Sequence, residues 1–418
     1  MTRAQLHQLP ISARPAKTTR QKLNAALFIA VFLPACIIVN AFQFMFLLPL
    51  KLLPFAWSNE LYNEGIRYTK GAFAILMNLM NQVFAPTRLS ITFERDGQGK
   101  LTEEEVQRIV ERDGSGKVTS LRLPTKSVII ANHQVYSDWW YVWGLTYFMG
   151  THKDVFIVLK NTLKWVPIGG WGMQFYRFIF LARSWASDRL ELSTKLSKLA
   201  RQAEEEDKPF TFILYPEGTL VSKDTRPLSR KYADKLGISD LSNVLLPRST
   251  GLHYSLRSLA PRIPGLKMID ITMMYPGIPP MGYGQSYYTL RSIFCDSVPP
   301  PVIHMHIRIF DVAHHVPIGD MSTANPNFIP NGGSSHEAVE VDFPEDEKVK
   351  FDLWLRNLWT DKDNFITNFL KSNSVPQNAV SVPLELRSLW EIPHAFCMFA
   401  PIFGIVLWKG LTGTATVI

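Results

Sequence analysis

Cysteine is scarce in this chain of 418 residues: Cys36, Cys295 and Cys397 stand far apart, and none has a Cys-x-x-Cys or Cys/His finger spacing. A disulfide-stapled scaffold is thereby excluded, and a reducing compartment fits best. No Asn-x-Ser/Thr acceptor occurs, which suits a cytosolic or lipid-buried surface better than a secreted one. Charge is also sparse, at 19% of residues against 46% hydrophobic. That balance is too apolar for disorder. Lys and Arg outnumber Asp and Glu by only 44 to 36, and no nucleic-acid partner is expected. The length allows two or three domains, or one large domain with appendages.

What the chain does have is long uncharged runs. Between Lys22 and Lys51 lie 28 residues without a charge, enough for a helix of about 42 Å at 1.5 Å per residue. A cleaved signal peptide is the competing reading, but its apolar region would be shorter, and Pro34, Asn40 and Gln43 sit oddly in one. The first 22 residues carry Arg3, Arg14, Lys17, Arg20 and Lys22 and no acid, which places the N-terminus on the cytosolic side. A second stretch, Gly71 to Phe84, is interrupted by Asn78, Asn81 and Gln82 and reads as an in-plane or re-entrant helix. The two would form a pair that dips into the bilayer and returns. Near the other end, Ile392 to Trp408 is uncharged between Glu391 and Lys409, which suggests a C-terminal membrane anchor, with a buried amphipathic helix as the alternative.

Between these runs the texture is α/β, a mixed sheet flanked by helices. Strands are expected at Ser127–Ala131, Phe156–Leu159, Phe178–Ala182, Phe210–Tyr215, Lys267–Tyr275 and His304–Phe310, and a helix over Leu190–Glu206. The resulting division is a basic tail (1–22), membrane helices (23–85), a charged excursion (86–125), an α/β domain (126–318), a mobile Asn/Pro/Gly/Ser-rich loop (319–345), a helical region (346–390) and the anchor (391–418). Within the helical region, Phe351, Leu355, Leu358, Phe365 and Phe369 fall near one helical face that packs on the core.

The chemistry-bearing segment begins where the strand-like SVIIA runs into Asn132-His133-Gln134-Val135-Tyr136-Ser137-Asp138. A His and an Asp five apart do not share a helical face. With His133 just before a helix and Asp138 in its first turn, however, the carboxylate can fold back on one imidazole nitrogen and leave the other free as a base. Spacing alone does not select this pair, since His306/Asp311 and His315/Asp320 repeat it. Context does: only His133 ends an apolar strand and has a matching element downstream. That element is Tyr215-Pro216-Glu217-Gly218-Thr219, where Gly218 admits close backbone approach and Glu217 and Thr219 offer an acceptor and a hydroxyl. A plain turn is the other reading. Lys160, Lys164 and Arg183, in the basic stretch between, could hold a phosphate, or could simply be solvated flanks of apolar runs.

Taken in order, NHQVYSDWW, KNTLKWVPIGGWG…FIFLAR, YPEGT and VLLPRSTG resemble the four sequence blocks of the glycerolipid acyltransferases, the 1-acyl-glycerol-3-phosphate acyltransferase superfamily. The match covers about residues 125 to 260. DITMMYPGIPP, IHMHIRIF and FDLWLRNLW…KDNFITNFL further resemble the branch holding lysocardiolipin and fungal lysophosphatidylinositol acyltransferases. The resemblance implies His133 as general base on a glycerol hydroxyl and Asp138 as its orienting partner, with acyl-CoA as co-substrate. Glu217, Gly218 and Thr219 match the acceptor block, Lys160 and Arg183 its phosphate partners, and Pro247 the block that shapes the acyl-donor side. No metal or redox cofactor is implied, and the partner is a lysophospholipid in an endomembrane such as the endoplasmic reticulum.

The sequence departs from that pattern at Leu220, where many members that use lysophosphatidate carry Arg. Loss of that cation shifts the expectation toward a phosphodiester acceptor of the lysophosphatidylinositol type. Lysophosphatidate acylation, and a non-catalytic lipid-binding platform with the same fold, are the alternatives. A metal-dependent hydrolase is a further rival because His304, His306, Asp311, His314 and His315 cluster, although no helical His-Glu-x-x-His accompanies them. A serine hydrolase lacks its Gly-x-Ser-x-Gly elbow.

Overall fold

The computed structural model describes residues 3–182, 185–320, 344–372 and 378–397. An N-terminal tail leads into α1 (Thr19–Phe42), started by a reciprocal capping box between Thr18 and Gln21. A π turn over Gln43–Leu47 carries α1 directly into α2 (Leu48–Leu52), and α3 (Ala56–Phe84) runs back along it. There follow β1 (Arg88–Phe93), α4 (Glu103–Ile109), β2 (Val110–Arg112), β3 (Val118–Leu121), β4 (Lys126–Ala131) and α5 (Asp138–Phe148). Next come β5 (Val155–Lys160), α6 (Gly169–Phe175), β6 (Ile179–Leu181), α7 (Trp185–Glu206), β7 (Phe210–Leu214), α8 (Arg226–Leu236) and α9 (Ser249–Leu259). The chain continues through β8 (Lys267–Met274), β9 (Val302–Asp311), α10 (Val312–His315), α11 (Glu345–Ser372), β10 (Val380–Pro383) and α12 (Ile392–Ala395).

Eight strands form one mixed sheet in the order β10-β1-β9-β8-β4-β7-β5-β6, while β2 and β3 pair as a separate ribbon. Strands β8, β4, β7, β5 and β6 are mutually parallel, β9 is antiparallel to β8, and β10 is antiparallel to β1. All six strands expected from the sequence are present. Two more, β1 and β10, widen the sheet at the β9 edge.

The alternation of side chains along each central strand divides the interior into two cores. Ile129 and Ala131 of β4 pack with α1, α3 and α5 on one face, whereas Val128 and Ile130 pack with α7, α9 and α11 on the other. Every residue of β7 is buried, as a central parallel strand covered on both faces requires.

The α1–α2 unit, Thr19–Leu52, is a helix long and apolar enough to cross a membrane. Only about a third of its most apolar stretch is buried, unlike the core helix of a soluble protein. Leu23, Leu27, Ile29, Leu33, Ile37 and Ile38 all face outward. The helix is tied to the body rather than detachable: Asn24 donates to Ser297, Asn40 to the Ile168 carbonyl and Gln43 to Thr69. The second apolar stretch, expected as an in-plane or re-entrant membrane helix, is largely covered by the protein itself. Ala72, Ala74, Ile75, Leu76, Met77, Asn78, Met80 and Asn81 are buried inside the protein, because α3 fills the groove between α1 and α5. Most of the C-terminal anchor and of the 319–345 loop lie outside the described residues.

The stretch from Pro276 to Val298 is pressed against the loop that follows β4. A side-chain carbon at Gly284 would sit 2.3 Å from the Gln134 carbonyl oxygen. The N-terminal tail binds the outer side of this stretch: Arg14 donates to the Tyr287 carbonyl at 2.6 Å, Gln21 to the Asp296 carbonyl at 2.7 Å, and Lys17 pairs with Asp296.

Candidate active site

The five parallel strands all point their C-terminal ends at one edge of the sheet, where α/β proteins gather ligand-binding loops. That edge receives His133 after β4, Lys160 at the end of β5, Tyr215 to Thr219 after β7 and Tyr275 after β8. Asn132 fixes the exit of β4: its amide donates to the Met273 carbonyl at 3.0 Å, and its carbonyl oxygen accepts from Met273 N–H at 2.7 Å. Since the two ends of β4 and β8 are thus locked, the next residue leaves the sheet in one direction.

His133 and Asp138 meet as their spacing suggested, with Nδ1 2.7 Å from Asp138 Oδ2. Asp138 opens α5 and is fully buried, whereas the His133 side chain is 20% exposed. The same Oδ2 accepts from the backbone N–H groups of Gln134 at 2.7 Å and Val135 at 3.0 Å, and Oδ1 accepts from the Tyr275 hydroxyl at 2.5 Å. Four donors therefore fix the carboxylate, and the first turn of a helix favours its negative charge. An acceptor-only carboxylate calls for the proton on Nδ1, so Nε2 carries the free lone pair. Among the described residues nothing occupies Nε2. Tyr215 lies against the imidazole, with ring centroids 4.6 Å apart. Burial, with the Asp138 charge nearby, drives the phenol pKa of Tyr215 and Tyr275 upward, which keeps both hydroxyls protonated.

Glu217 plays a different part from the ligand acceptor expected of it. Its carboxylate is buried and turned inward: Oε1 accepts from His133 N–H at 3.1 Å and from the Trp359 indole at 3.4 Å, and Oε2 accepts from Leu245 N–H at 3.1 Å. It joins the His133 loop to the segment before Pro247. Burial pushes its pKa up to about 8, against the pull of these donors. Gly218 has φ +68°, a conformation strained for any residue with a side chain. Its N–H closes the turn onto the Tyr215 carbonyl at 2.9 Å. Thr219 is half-buried beside it, Leu220 is buried, and Pro247 is buried where the next loop crosses. Lys160 is exposed at its strand end. Arg183 lies outside the described residues.

Of the rival histidines, His304 and His306 are built into the core, whereas His314 and His315 are exposed. His306 Nδ1 is 3.0 Å from Thr92 Oγ1, its Nε2 is 3.3 Å from Glu94 and its ring stacks on Phe365, while His304 packs on Phe369. Among the described residues no group of three His, Cys, Asp or Glu side chains is placed to hold a metal ion.

Several residues of the site escaped the sequence reading. Tyr275 could have been found as the polar end of an apolar strand. Trp359, Lys362 and Asp363 could not, because they sit on α11, far along the chain. Asp363 accepts from the N–H groups of Ser242, Asn243 and Val244, and Lys362 is buried against Asp270 at 2.5 Å.

Comparison with known proteins agrees with this geometry. The family model described as Acyltransferase matches residues 115–275, the span that holds every element of the His133 edge. The 2-acyl-1-lysophosphatidylinositol acyltransferase of Saccharomyces cerevisiae is 32% identical, over 80% of this chain and 87% of its own length. An uncharacterized acyltransferase of Schizosaccharomyces pombe is 33% identical, over 83% and 88%. Lysocardiolipin acyltransferase 1 of Danio rerio is 35% identical, over 46% and 47%. No solved structure matches the chain significantly. With the His/Asp pair at a strand-end edge and relatives that share most of its length, the chain belongs to the glycerolipid acyltransferase family, on the branch of these fungal and lysocardiolipin enzymes, and is an acyl-transferring enzyme.

Proposed function

We propose that the protein is an acyl-CoA-dependent lysophospholipid acyltransferase of an endomembrane such as the endoplasmic reticulum. The observation that carries this reading is the imidazole of His133, held through Nδ1 by a buried carboxylate and open at Nε2. In the reaction, Nε2 takes the proton of a glycerol hydroxyl as its oxygen attacks the thioester carbonyl of acyl-CoA. The tetrahedral intermediate collapses with loss of the CoA thiolate, which recovers the proton from the imidazolium. A new ester and free CoA result, with no covalent enzyme intermediate and no metal or redox cofactor required.

The acceptor is a lysolipid with a phosphodiester headgroup, of the lysophosphatidylinositol type. Two facts support that choice. The yeast relative is named for 2-acyl-1-lysophosphatidylinositol. Leu220, next to the acceptor turn, is buried and supplies no cation for a phosphate dianion. The outward apolar face of α1–α2 supports lateral delivery of such a lipid from the bilayer, since its acyl chain is costly to expose to water.

The test is an assay of membranes carrying the full chain with labelled acyl-CoA and a panel of lysophospholipids, wild type against His133→Ala. Transfer to a phosphodiester lysolipid that disappears in the folded variant is expected. Undiminished transfer by His133→Ala overturns the base assignment, and strong preference for lysophosphatidate over every phosphodiester lysolipid overturns the acceptor.

A further inference from the structure

Beside the turn at Gly218 lies a cation that, among the described residues, makes no ion pair or hydrogen bond. The loop from Ser242 to Arg248 runs along the Tyr215–Thr219 turn and is stitched to it: Arg248 N–H donates to the Pro216 carbonyl at 2.8 Å, and Leu245 N–H donates to Glu217. The backbone of Arg248 is thus fixed against the turn. From there its side chain crosses the bare face of Gly218, with Cδ 3.7 Å from where a side-chain carbon of that glycine would lie.

The guanidinium is exposed and, among the described residues, has neither an ion pair nor a hydrogen bond. Its neighbours are engaged elsewhere. Arg226 donates to the carbonyls of Leu241 and Val244, Arg257 pairs with Glu347, and Arg356 pairs with Asp352. Arg248 is also the residue that precedes α9, whose N-terminus has no side-chain cap, and the first turn of a helix leaves backbone N–H groups without helical partners. The acids nearby are already held: Glu217 points inward to three donors, and Asp352 accepts from Ser249 and pairs with Arg356.

We propose that Arg248 is a phosphate-ester contact of the active site, laid over Gly218 so that its planar fork meets a bound phosphate on the side of the turn away from the Glu217 carboxylate. The inference rests on the acyl-transfer reading, because both of its substrates, the lysophospholipid and acyl-CoA, carry phosphate esters.

The experiment is steady-state kinetics of the full chain in membranes, with Arg248→Ala and Arg248→Lys compared with wild type. The lysophospholipid that the panel shows to be used best and acyl-CoA are varied in turn. Arg248→Ala should raise one KM about tenfold or more and leave kcat within about twofold, as loss of a charge-assisted bond made equally in ground and transition states requires. Arg248→Lys should recover part of the loss. A rise in KM for the lysolipid identifies the headgroup phosphate, and a rise in KM for acyl-CoA identifies the phosphates of CoA. Unchanged KM values in both arms, or a loss confined to kcat, overturn the assignment of Arg248 while leaving the acyl-transfer reading intact. A wild-type protein that acylates no lysophospholipid overturns that reading, and this inference with it.

Discussion

At the residue scale, the site separates the open nitrogen of His133 from the groups that hold its ring. Asp138 accepts from one side chain and two amides through Oδ2, and from Tyr275 through Oδ1. In Asp138→Asn the amide nitrogen replaces one acceptor oxygen, which leaves a donor facing a donor and favours the wrong imidazole tautomer. A fall in kcat of about 10² to 10⁴-fold is expected, with the thermal transition of the detergent-solubilised protein showing that the variant still folds. Activity within a few-fold of wild type would mean that Asp138 does not set the tautomer.

Glu217 gives a pH signature. A carboxyl with a folded pKa of about 8 ionises far earlier in the unfolded chain, near 4.5. The unfolded state therefore sheds its proton first, and stability falls as pH rises from about 4.5 through 8. Glu217→Gln, neutral at every pH, should flatten this limb by a few kcal/mol between pH 5 and pH 9. Urea midpoints measured across that range check it. Parallel curves for the two proteins would exclude a buried neutral carboxyl.

At the scale of elements, the helix that most affects the site is α11, distant from it in sequence. Lys362 is fully buried against Asp270, which Arg308 also meets at 2.7 Å, and Arg308 donates to the Leu358 carbonyl. The cluster joins α11 to β8 and β9 from within the core. Lys362→Met removes one partner and leaves Asp270 with a single cation, so a loss of about 3 to 5 kcal/mol is expected, read as a fall in the urea midpoint. A midpoint equal to wild type would show that Arg308 alone neutralises Asp270.

The same elements show what a linear reading can reach. The strands β4 through β9 were legible because buried parallel strands read as short apolar runs bounded by turns, and His133 with Asp138 because five residues suffice for the chain to fold back on itself. The strands β1 and β10 were not. Their partners lie more than 200 residues away: Arg88 faces Val302 in one neighbour and Pro383 in the other, and each gains its pattern only from a sheet already assembled. Glu217 was legible as a site residue but not in its direction, since the inward turn depends on amides contributed by His133 and Leu245 and on an indole from α11. Gly71 to Phe84 was legible as a helix but not in its surroundings. An apolar run with three amides suits a half-solvated membrane helix and a helix buried in protein equally well, and only the neighbours α1 and α5 decide between them.

At the scale of the whole molecule, one face of the sheet is covered by the helix that presents apolar side chains outward. The exposure continues from α1 to the segment after β5, where Trp165 is 75% exposed and Trp171, on α6, contacts Phe44 edge-on. Trp at such a boundary suits the headgroup layer. The double variant Ile37→Lys and Ile38→Lys places two charges on the outward face of α1, each costing about 2.5 to 3.5 kcal/mol in a bilayer centre. Extraction with alkaline carbonate should release this variant more readily than wild type. Equal retention of both would mean that α1 does not carry the membrane contact.

The press of Gly284 on Gln134, backed by Arg14 and Lys17, makes the residues ahead of the first helix part of the wall behind the His133 imidazole. An affinity handle or fluorescent reporter fused at that end would pull on the same wall, so labelling at the start of the chain is the choice most apt to report an enzyme slower than the native one.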